Sequence, residues 1–452
     1  MLRKRITAAV LLCITAWVAN PLRAQQQQIP QTTHSFSIKQ CIDFAHAHNT
    51  QVKNALLDYQ IQVQTNRNVT SAALPNISVT GGLTDYIDIP TTLIPAQFFG
   101  GTAGTFEPVQ FGTKYNANGT ANLTQTIFDG QVFIGLKARQ TSLDYAMKAT
   151  EVTEQNIKVN IYKIYYQLVA SKVQMNIIDA NIARTQQLVH DTKAMHDNGF
   201  AEQIDVDKNN VQLANLQTEK LKTESAIYNG YLGLKYLLGM PAKDELILTD
   251  SVSEDQIKEN IIDTGFQYSD RKEYQYLQLV QRLNQYNVKR YQLSQLPVLS
   301  LNGVYQKSAQ RTKFDIFGNG DWFTTSYLGL NLTIPIFNGF AKKSTIETAK
   351  LQLQQTMNKV EDLKLSIDTA VSYAYRNFTT AIQTLDYQKK NMALAEQVYD
   401  QTKKKYEAGV GSTTDITNAE ADLKTAQNNY ISAMYDAIIA KIDYNNATGK
   451  LN

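Results

Sequence analysis

The chain has 452 residues, of which 43% are hydrophobic and 19% charged, and its 44 basic residues against 41 acidic ones give a formal net charge of +3. Residues 1–24 contain four positive charges and no negative one, so their removal changes the formal net charge to about −1. A nearly neutral chain argues against nucleic acid as a partner.

Residues 1–24 are typical of a secretory signal peptide. A basic segment at residues 3–5 precedes an apolar segment at residues 6–19, and the Leu-Arg-Ala at residues 22–24 offers a cleavage site. The apolar segment is too short to cross a bilayer as a helix. The sequence therefore predicts export, and it predicts that the Gln-rich residues 25–35 form a disordered N-terminal segment.

The two cysteines exclude an internal disulfide in the mature chain. Cys13 leaves with the signal peptide, and lipid attachment there is a weak alternative because Leu12 is too bulky for that motif. Cys41 is then alone. No run of eighteen apolar residues follows the signal, so no transmembrane helix is predicted, although an exported chain can enter an outer membrane as strands.

The rest of the chain is predicted to be an internal duplication, with a first repeat at residues 36–241, a joint at 242–255 and a second repeat at 256–452. Each repeat contains a helix that stops at Leu-Pro, two strands, a long helix, a glycine turn and a last helix. The predicted elements are a helix at 36–73, strands 75–86 and 115–127, a helix at 128–197, a tip turn at 198–201 and a helix at 202–238, followed by a helix at 254–295, strands 298–307 and 322–334, a helix at 340–407, a tip turn at 408–412 and a helix at 414–448.

Landmarks in the two repeats lie at a nearly constant offset. Gly199 and Gly409 are 210 residues apart, and so are Gly239 and Gly449. The loop between the first two strands is 13 residues longer than its counterpart, is rich in Gly, Pro and Phe, and is expected to face outside. Repeats that cannot bury a core alone imply stacking around a common axis.

The predicted strands alternate between a polar and an apolar face. At residues 115–127, Asn and Thr occupy one face while small and apolar residues occupy the other, and an apolar stripe recurs in the last strand. That stripe consists of Leu328, Leu330, Leu332 and Ile334. A transmembrane barrel strand needs such alternation, but a half-solvated antiparallel hairpin also shows it, so the strands alone leave both interpretations open.

The last helix of each repeat carries a heptad pattern. Apolar residues alternate by three and four from Ile416 to Ala447, and the first repeat keeps this register with polar Asn209, Lys220 and Thr223 in between. Such a seam packs helix on helix at a small crossing angle. The helices alone would favour a solitary coiled-coil spacer.

The strand count favours oligomerisation. Four strands cannot close a barrel, and an open sheet in lipid would leave backbone groups unpaired. Two copies would give eight strands with a filled interior, whereas three copies would give twelve, the smallest number here that could conduct. Trp322 and Phe323 stand where the last strand leaves the outer loop and suit an interfacial aromatic belt.

Over residues 36–450 the order of elements resembles the TolC-type outer-membrane efflux protein family. The residues that carry the resemblance are the two Leu-Pro stops, the Ile-Pro-Ile-Phe-Asn-Gly at 334–339, and the Lys-Tyr-Glu-Ala-Gly at 405–409 followed by Thr-Asp-Ile. The resemblance implies a homotrimer with a shared 12-stranded outer-membrane β-barrel and a periplasmic α-barrel closed at its tip. It also implies docking on a periplasmic adaptor (membrane fusion) protein and an inner-membrane pump of RND or ABC type.

Residue by residue, the resemblance places a gate at the tip. Asp205 and Tyr406, near Gly199 and Gly409, match the gate pair of the family, and Asp415 matches one aspartate of a ring that narrows the tip.

Two positions depart from the family pattern at this gate. Asn418 stands at the next ring position, and Gly411 stands at that of a gate arginine. These departures imply a weaker closure and a lower cation affinity. Capping of a helix by Ser412, Thr413 and Asp415 is the alternative role for these polar residues.

The sequence contains no pattern that predicts catalysis. Residues 205–209 open like a calcium loop, but Asn210 and Leu216 replace the required Gly and Glu, and the five histidines lack zinc-ligand spacing. No cofactor, metal or enzyme activity is expected. The predicted fold is mainly α with β, made of long antiparallel helical hairpins plus four strands. The favoured function is a passive outer-membrane exit duct of an efflux or secretion system, and the alternative is a periplasmic or surface coiled-coil scaffold without a channel.

Overall fold

The computed structural model describes residues 32–251, 254–258, 265–316 and 318–451. The predicted signal peptide, Cys13 and residues 25–31 lie outside these ranges. In chain order the elements are β1 (Thr33–Phe36), α1 (Ile38–His48), α2 (Thr50–Ser71), β2 (Asn76–Asp85), β3 (Thr91–Pro95), β4 (Phe106–Gln110), β5 (Tyr115–Phe128), α3 (Gly130–Asp197), α4 (Gln203–Leu238), β6 (Glu245–Leu248), α5 (Glu254–Lys258), α6 (Lys272–Leu293), β7 (Val298–Arg311), β8 (Phe323–Thr333), α7 (Ala341–Glu407) and α8 (Thr413–Ala447).

Two very long helices, α3 and α7, dominate the molecule. They contain 68 and 67 residues and no proline, so each extends for about 100 Å at a rise of about 1.5 Å per residue. Asp129 caps the start of helix α3, and its side chain accepts a hydrogen bond from the amide of Gln131 at 2.8 Å. Within the described ranges, no helix combines the length and hydropathy needed to cross a membrane.

A four-stranded antiparallel sheet is formed in the order β2-β5-β7-β8. The register places Ile77 opposite Leu123, Leu123 opposite Gly303, and Gly303 opposite Leu328. Because directly opposed residues in antiparallel strands share a face, the apolar stripes that the sequence predicts lie on one face of the sheet. On the other face, most Asn and Thr residues of β5 oppose Ser, Thr, Asn or Gln of the flanking strands.

The N-terminal segment and the joint differ from the sequence prediction. Residues 33–35, predicted to be disordered, belong to β1, which pairs in parallel with β6 from within the joint at 242–255. Leu246 and Leu248 alternate into the buried core beside Cys41, so this short apolar pattern holds the strand against the helices. In the sequence, this four-residue alternation is too short to be distinguished from an irregular linker.

The first helix of each repeat is interrupted, although the sequence predicted continuous helices at 36–73 and 254–295. Asn49 adopts an extended backbone (φ −62°, ψ 130°) and separates α1 from α2. Its side chain caps α2 and donates to the carbonyl of Leu237 at 2.6 Å. In the second repeat Arg271 is likewise extended before α6, and its guanidinium donates to the carbonyl of Ala447 at 3.0 Å.

These contacts define the waist of the molecule, which we identify by Asn49, Arg271, Gly239 and Gly449. Leu237 and Ala447, the two accepting residues, are 210 positions apart, as are the two glycines. A Cβ atom on Gly239 would lie 2.5 Å from the carbonyl oxygen of His48, so the chains approach here as closely as glycine permits. A hydrophobic core flanks the waist in each repeat, around Tyr165 in the first and Leu385 in the second.

Below the waist, four helices run to the two tip turns. Helix α3 packs against α4, α7 packs against α8, and α3 also packs against α8, which joins the two hairpins. At the opposite end of the molecule, the long loop after β2 contains the hairpin β3–β4 and a 3₁₀ turn at Ala96–Phe99. Strand β7 extends to Arg311, beyond the predicted end at residue 307.

Candidate functional site

Two left-handed glycines end the long helices at the tip. Gly199 has φ 82° and Gly409 has φ 74°. The amide of Gly199 and the amide after it donate to carbonyls in the last turn of α3 at 2.9 and 2.8 Å, and the corresponding bonds after α7 both measure 3.0 Å. This double return is the Schellman motif, which requires a positive φ and therefore favours glycine. The sequence identified both turns through these two residues.

Asp415 caps helix α8 together with Ser412. The Ser412 hydroxyl accepts from the Asp415 amide at 3.1 Å, and the Asp415 carboxylate accepts from the Ser412 amide at 3.3 Å, which makes a capping box. Asp415 and Asn418 are both exposed, and their spacing of three residues puts them on one face of α8. Asp422 is also exposed and continues that face by one further turn. The capping role and an exposed charge therefore coexist at Asp415.

The structure gives Asp205 and Tyr406 different partners. The carboxylate of Asp205 lies 3.8 Å from the ammonium of Lys208 in the first turn of α4. Tyr406 is 5% exposed, and its hydroxyl oxygen lies 3.0 Å from the hydroxyl oxygen of Thr192 on α3. The proposed gate pair is thus divided between a partly exposed carboxylate and a buried phenol.

A buried polar cluster connects the helices of both hairpins, and we call Tyr406, Thr192 and Asn209 the tip cluster. The Asn209 amide nitrogen donates to the Thr192 hydroxyl at 2.9 Å, and both residues are fully buried. On α8, the Thr417 hydroxyl lies 3.4 Å from the Asn209 amide oxygen. Since buried polar groups are costly when unpaired, these bonds favour one alignment of α3, α4 and α7.

Gly411 is packed against the end of α7. Its amide donates to the carbonyl of Lys405 at 3.1 Å, and an added Cβ would lie 2.9 Å from the backbone nitrogen of Tyr406. A larger residue at this position would require the turn to shift. The space at this position therefore suits the glycine that the sequence has there.

The sequence did not identify most of the buried polar residues of this region. Thr192, Thr185, Asn181 and Glu420 are buried between helices that were expected to pack through apolar seams. Of the buried polar residues of this region, only Asn209 stood out in the sequence, because it interrupts the apolar heptad pattern of α4. Thr185 and Asn181 contact α8, and Thr192 contacts α4 and α7, so the burial of these residues is visible only in the packed structure.

The described residues offer no evident metal site. His, Cys, Asp and Glu side chains nowhere gather, within those ranges, into a group of three that could hold an ion. Residues 205–209, which resemble the start of a calcium loop, lie in the first turns of α4. The described side chains of the tip form a helix cap and buried hydrogen bonds, and they include the exposed carboxylates of Asp415 and Asp422.

The model of the family described as Outer membrane efflux protein matches residues 274–450. The outer membrane protein TolC of Vibrio cholerae is 20% identical over 342 residues, which cover 73% of this chain and 76% of that protein. The outer membrane efflux protein BepC of Brucella suis is 23% identical over 350 residues, which cover 75% of this chain and 74% of that protein.

The fold has a solved counterpart. The crystal structure of the outer membrane protein VceC from Vibrio cholerae superposes with a TM-score of 0.72 at 14% identity, over 91% of this chain and 96% of that chain. The long helical hairpins joined to a four-stranded sheet thus share the fold of this outer membrane protein. The second repeat thus matches the model of the efflux protein family, and the chain as a whole is similar to TolC-type outer-membrane efflux proteins.

Proposed function

We propose that the chain is one subunit of a homotrimeric exit duct that passively conducts substrates from a periplasmic tip to the cell exterior. Export would depend on residues 1–24, and the mature chain would consist of the two repeats at 36–241 and 256–452. The observation that carries this proposal is a two-faced sheet with open edges, mounted on helices about 100 Å long.

The apolar face of the sheet suits contact with lipid. Leu328, Leu330 and Leu332 of β8 are 58–74% exposed in the single chain, and Ile77 and Val79 of β2 are 73% and 77% exposed. Exposure of this extent is unfavourable in water but favourable against hydrocarbon. The opposite face, rich in Asn, Thr, Ser and Gln, would line an aqueous lumen.

The edges of the sheet support a closed ring of several chains. Within the described part of the chain, β2 and β8 each pair along one side only. In lipid such edges must be paired, so β2 of one copy would meet β8 of the next. Three copies give twelve strands, whereas two copies give eight and a barrel filled by its own side chains.

The two tip turns would form the gate of this duct. Gly199 and Gly409 set the turns, while Asp415, with Asn418 on the same face, would contribute one carboxylate per subunit to a ring. Tyr406 would act through the tip cluster, and Asp205 would be available to a neighbouring hairpin. The buried bonds of the tip cluster support a closed resting alignment of the four helices.

The printed names of two relatives support a proposal for the partners. BepC is named as an efflux protein, and PrtF of Dickeya chrysanthemi, another relative, is named as a proteases secretion protein. We therefore propose that the tip docks on a periplasmic adaptor protein and an inner-membrane pump of RND or ABC type. The duct itself would perform no catalysis and would need no cofactor, because the pump supplies the energy.

The proposal is tested by membrane fractionation, gel electrophoresis without boiling, and single-channel recording. We expect the chain in the outer-membrane fraction, migrating as a trimer until heated, and we expect discrete conductance after reconstitution. A soluble monomer without conductance would overturn the duct and favour a coiled-coil scaffold. A trimer that is inserted but never conducts would contradict the open twelve-stranded lumen.

A further inference from the structure

Glu420 is a buried carboxyl group in the contact between the two hairpins. It lies on α8, is 4% exposed and contacts the fully buried Thr185 of α3. Its Oε1 atom forms a hydrogen bond with the Thr185 hydroxyl, whereas its Oε2 atom is buried without a hydrogen-bond partner. An ionised carboxylate in this position would leave one charged oxygen unsatisfied, which is strongly unfavourable.

The hydroxyl of Thr185 constrains where protons can lie. Its oxygen is also 3.0 Å from the carbonyl oxygen of Asn181, which can only accept a hydrogen bond. A threonine hydroxyl has one proton, so it cannot donate to Asn181 and to Glu420 together. Both contacts are satisfied at once only if Glu420 carries a proton and donates it to Thr185.

The charged and titratable groups around Glu420 are mostly engaged elsewhere. On α8, Lys424 pairs with Glu219 of α4 at 2.6 Å. On α3, Arg184 donates to the amide oxygen of Asn181 at 2.7 Å and lies 5.5 Å from the ring of Tyr399 on α7. The two cations still favour the charged form of Glu420 through space, but neither bonds its free oxygen.

We infer that Glu420 is a proton-binding site in the helical seam: the neutral carboxyl fits the packing of α3 against α8, and loss of the proton loosens that contact. The structural part of this proposal stands on the single chain. Its consequence for transport, a tip that opens more readily as pH rises, rests on the proposed duct.

The electrostatics of the site give the sign of the pH dependence. Burial raises the pKa of Glu420, and this outweighs the lowering effects of the Thr185 hydrogen bond, Arg184 and Lys424. The packed state therefore holds more protons than an opened state in which Glu420 is hydrated. Packing is fully favoured below the ordinary pKa of a glutamate, and it weakens as pH rises towards the raised pKa of the packed state.

Hydrogen–deuterium exchange on the full chain, purified in detergent, tests the proposal without requiring a working channel. The readout is the protection of peptides from residues 413–430, corrected for intrinsic exchange, from about pH 5 to about pH 8. In the wild type we expect protection to fall by up to about tenfold per pH unit within the window between the two pKa values. Glu420→Gln should abolish this fall, while Glu396→Gln, an exposed control on α7, should retain it.

A second variant covers the case in which Glu420→Gln does not fold. Lys424→Gln removes a positive charge that favours ionised Glu420, so the fall in protection should move to higher pH. A wild-type protein with the same pH dependence as Glu420→Gln would overturn the proposal, and so would an unmoved transition in Lys424→Gln. A normal trimer with conductance in either case would leave the proposed duct intact, so the two failures are distinguishable.

Discussion

Tyr406 shows how a side chain at the tip can be polar and buried at once. Its ring packs in a small core with Leu188, Ile416 and Leu423, while its hydroxyl pairs with Thr192. Apolar packing brings the helices together without specifying their relative alignment, because Leu and Ile tolerate small sliding movements. The hydroxyl pair adds a directional bond that is made in only one alignment.

Removal of this hydroxyl should loosen the tip without collapsing it. Tyr406→Phe keeps the ring but deletes one buried hydrogen bond, and Thr192 retains its bond from Asn209. We expect a loss of about 1 kcal/mol in the packing of the two hairpins and more frequent openings in single-channel records. Tyr387→Phe, at an exposed position on the same helix, is the matched control. Equal opening frequencies in the two variants would contradict a role for the hydroxyl.

The two roles of Asp415 can be separated by a pair of variants. Asp415→Asn removes the charge, and we expect divalent cations to block conductance less strongly as a result. Ser412→Ala removes the other half of the capping box and keeps the charge. It should cost about 1 kcal/mol at the start of α8 and leave the block unchanged. If Ser412→Ala relieves the block as much as Asp415→Asn does, the carboxylate acts only through the cap.

Residues at the tip were predictable from the sequence to different degrees. Gly199 and Gly409 could be predicted as turn residues, because a positive φ is strongly favoured by glycine. Tyr406 was identified, but its partner Thr192 was not, since a threonine inside a long helix gives no signal of burial. The burial of Glu420 could not be predicted either, because its partner Thr185 on α3 lies 235 positions away in the chain.

At the scale of elements, Gly199 and Gly239 share a left-handed backbone conformation but differ in the space around them. An added Cβ on Gly199 would meet nothing within 4 Å, but on Gly239 it would meet the backbone of His48 and Asn49. Both residues end helices with φ near +80° and +70°. The tip glycine is therefore needed for its conformation alone, and the waist glycine is needed for conformation and space.

This contrast predicts unequal effects of the same substitution. Gly199→Ala should cost about 1–2 kcal/mol for the left-handed conformation and still yield folded protein. Gly239→Ala adds a backbone clash at 2.5 Å, so we expect a clear loss of correctly assembled protein. The measurement is the yield of the proposed heat-sensitive trimer on unboiled gels. Similar yields for the two variants would show that the waist can relax.

The long helices and the strands followed from local patterns, but the interruptions near the waist did not. Proline stops and alternation of side chains specify an element through its own residues. Asn49 separates α1 from α2 and Arg271 precedes α6, and each side chain bonds a carbonyl at the end of a distant helix. Tertiary contacts of this kind override helix propensity and leave no trace in a sequence window.

At the scale of the whole molecule, the two faces of the sheet predict opposite tolerance to charge. Leu330→Arg would place a cation on the apolar face, at a cost of about 2–4 kcal/mol if that face lies at the middle of a bilayer. Asn331→Arg, one residue further, points to the polar face and should be tolerated. We expect the first variant to reduce the oligomer in outer membranes and the second to alter only conductance. Equal tolerance of both would argue against lipid contact.

Backbones approach each other closely at the waist, so we expect this region to act as a pivot for the helices below it. Helix α4 extends from Gly239 towards the tip over 36 residues, a lever arm of about 54 Å. A rotation of about 5° at the pivot would displace the far end of the helix by about 5 Å, roughly half the usual spacing between packed helices. A rotation too small to disturb the waist could thus change the width of the opening at the tip. Substitutions at the waist, far from the tip, are therefore also expected to alter how the tip opens.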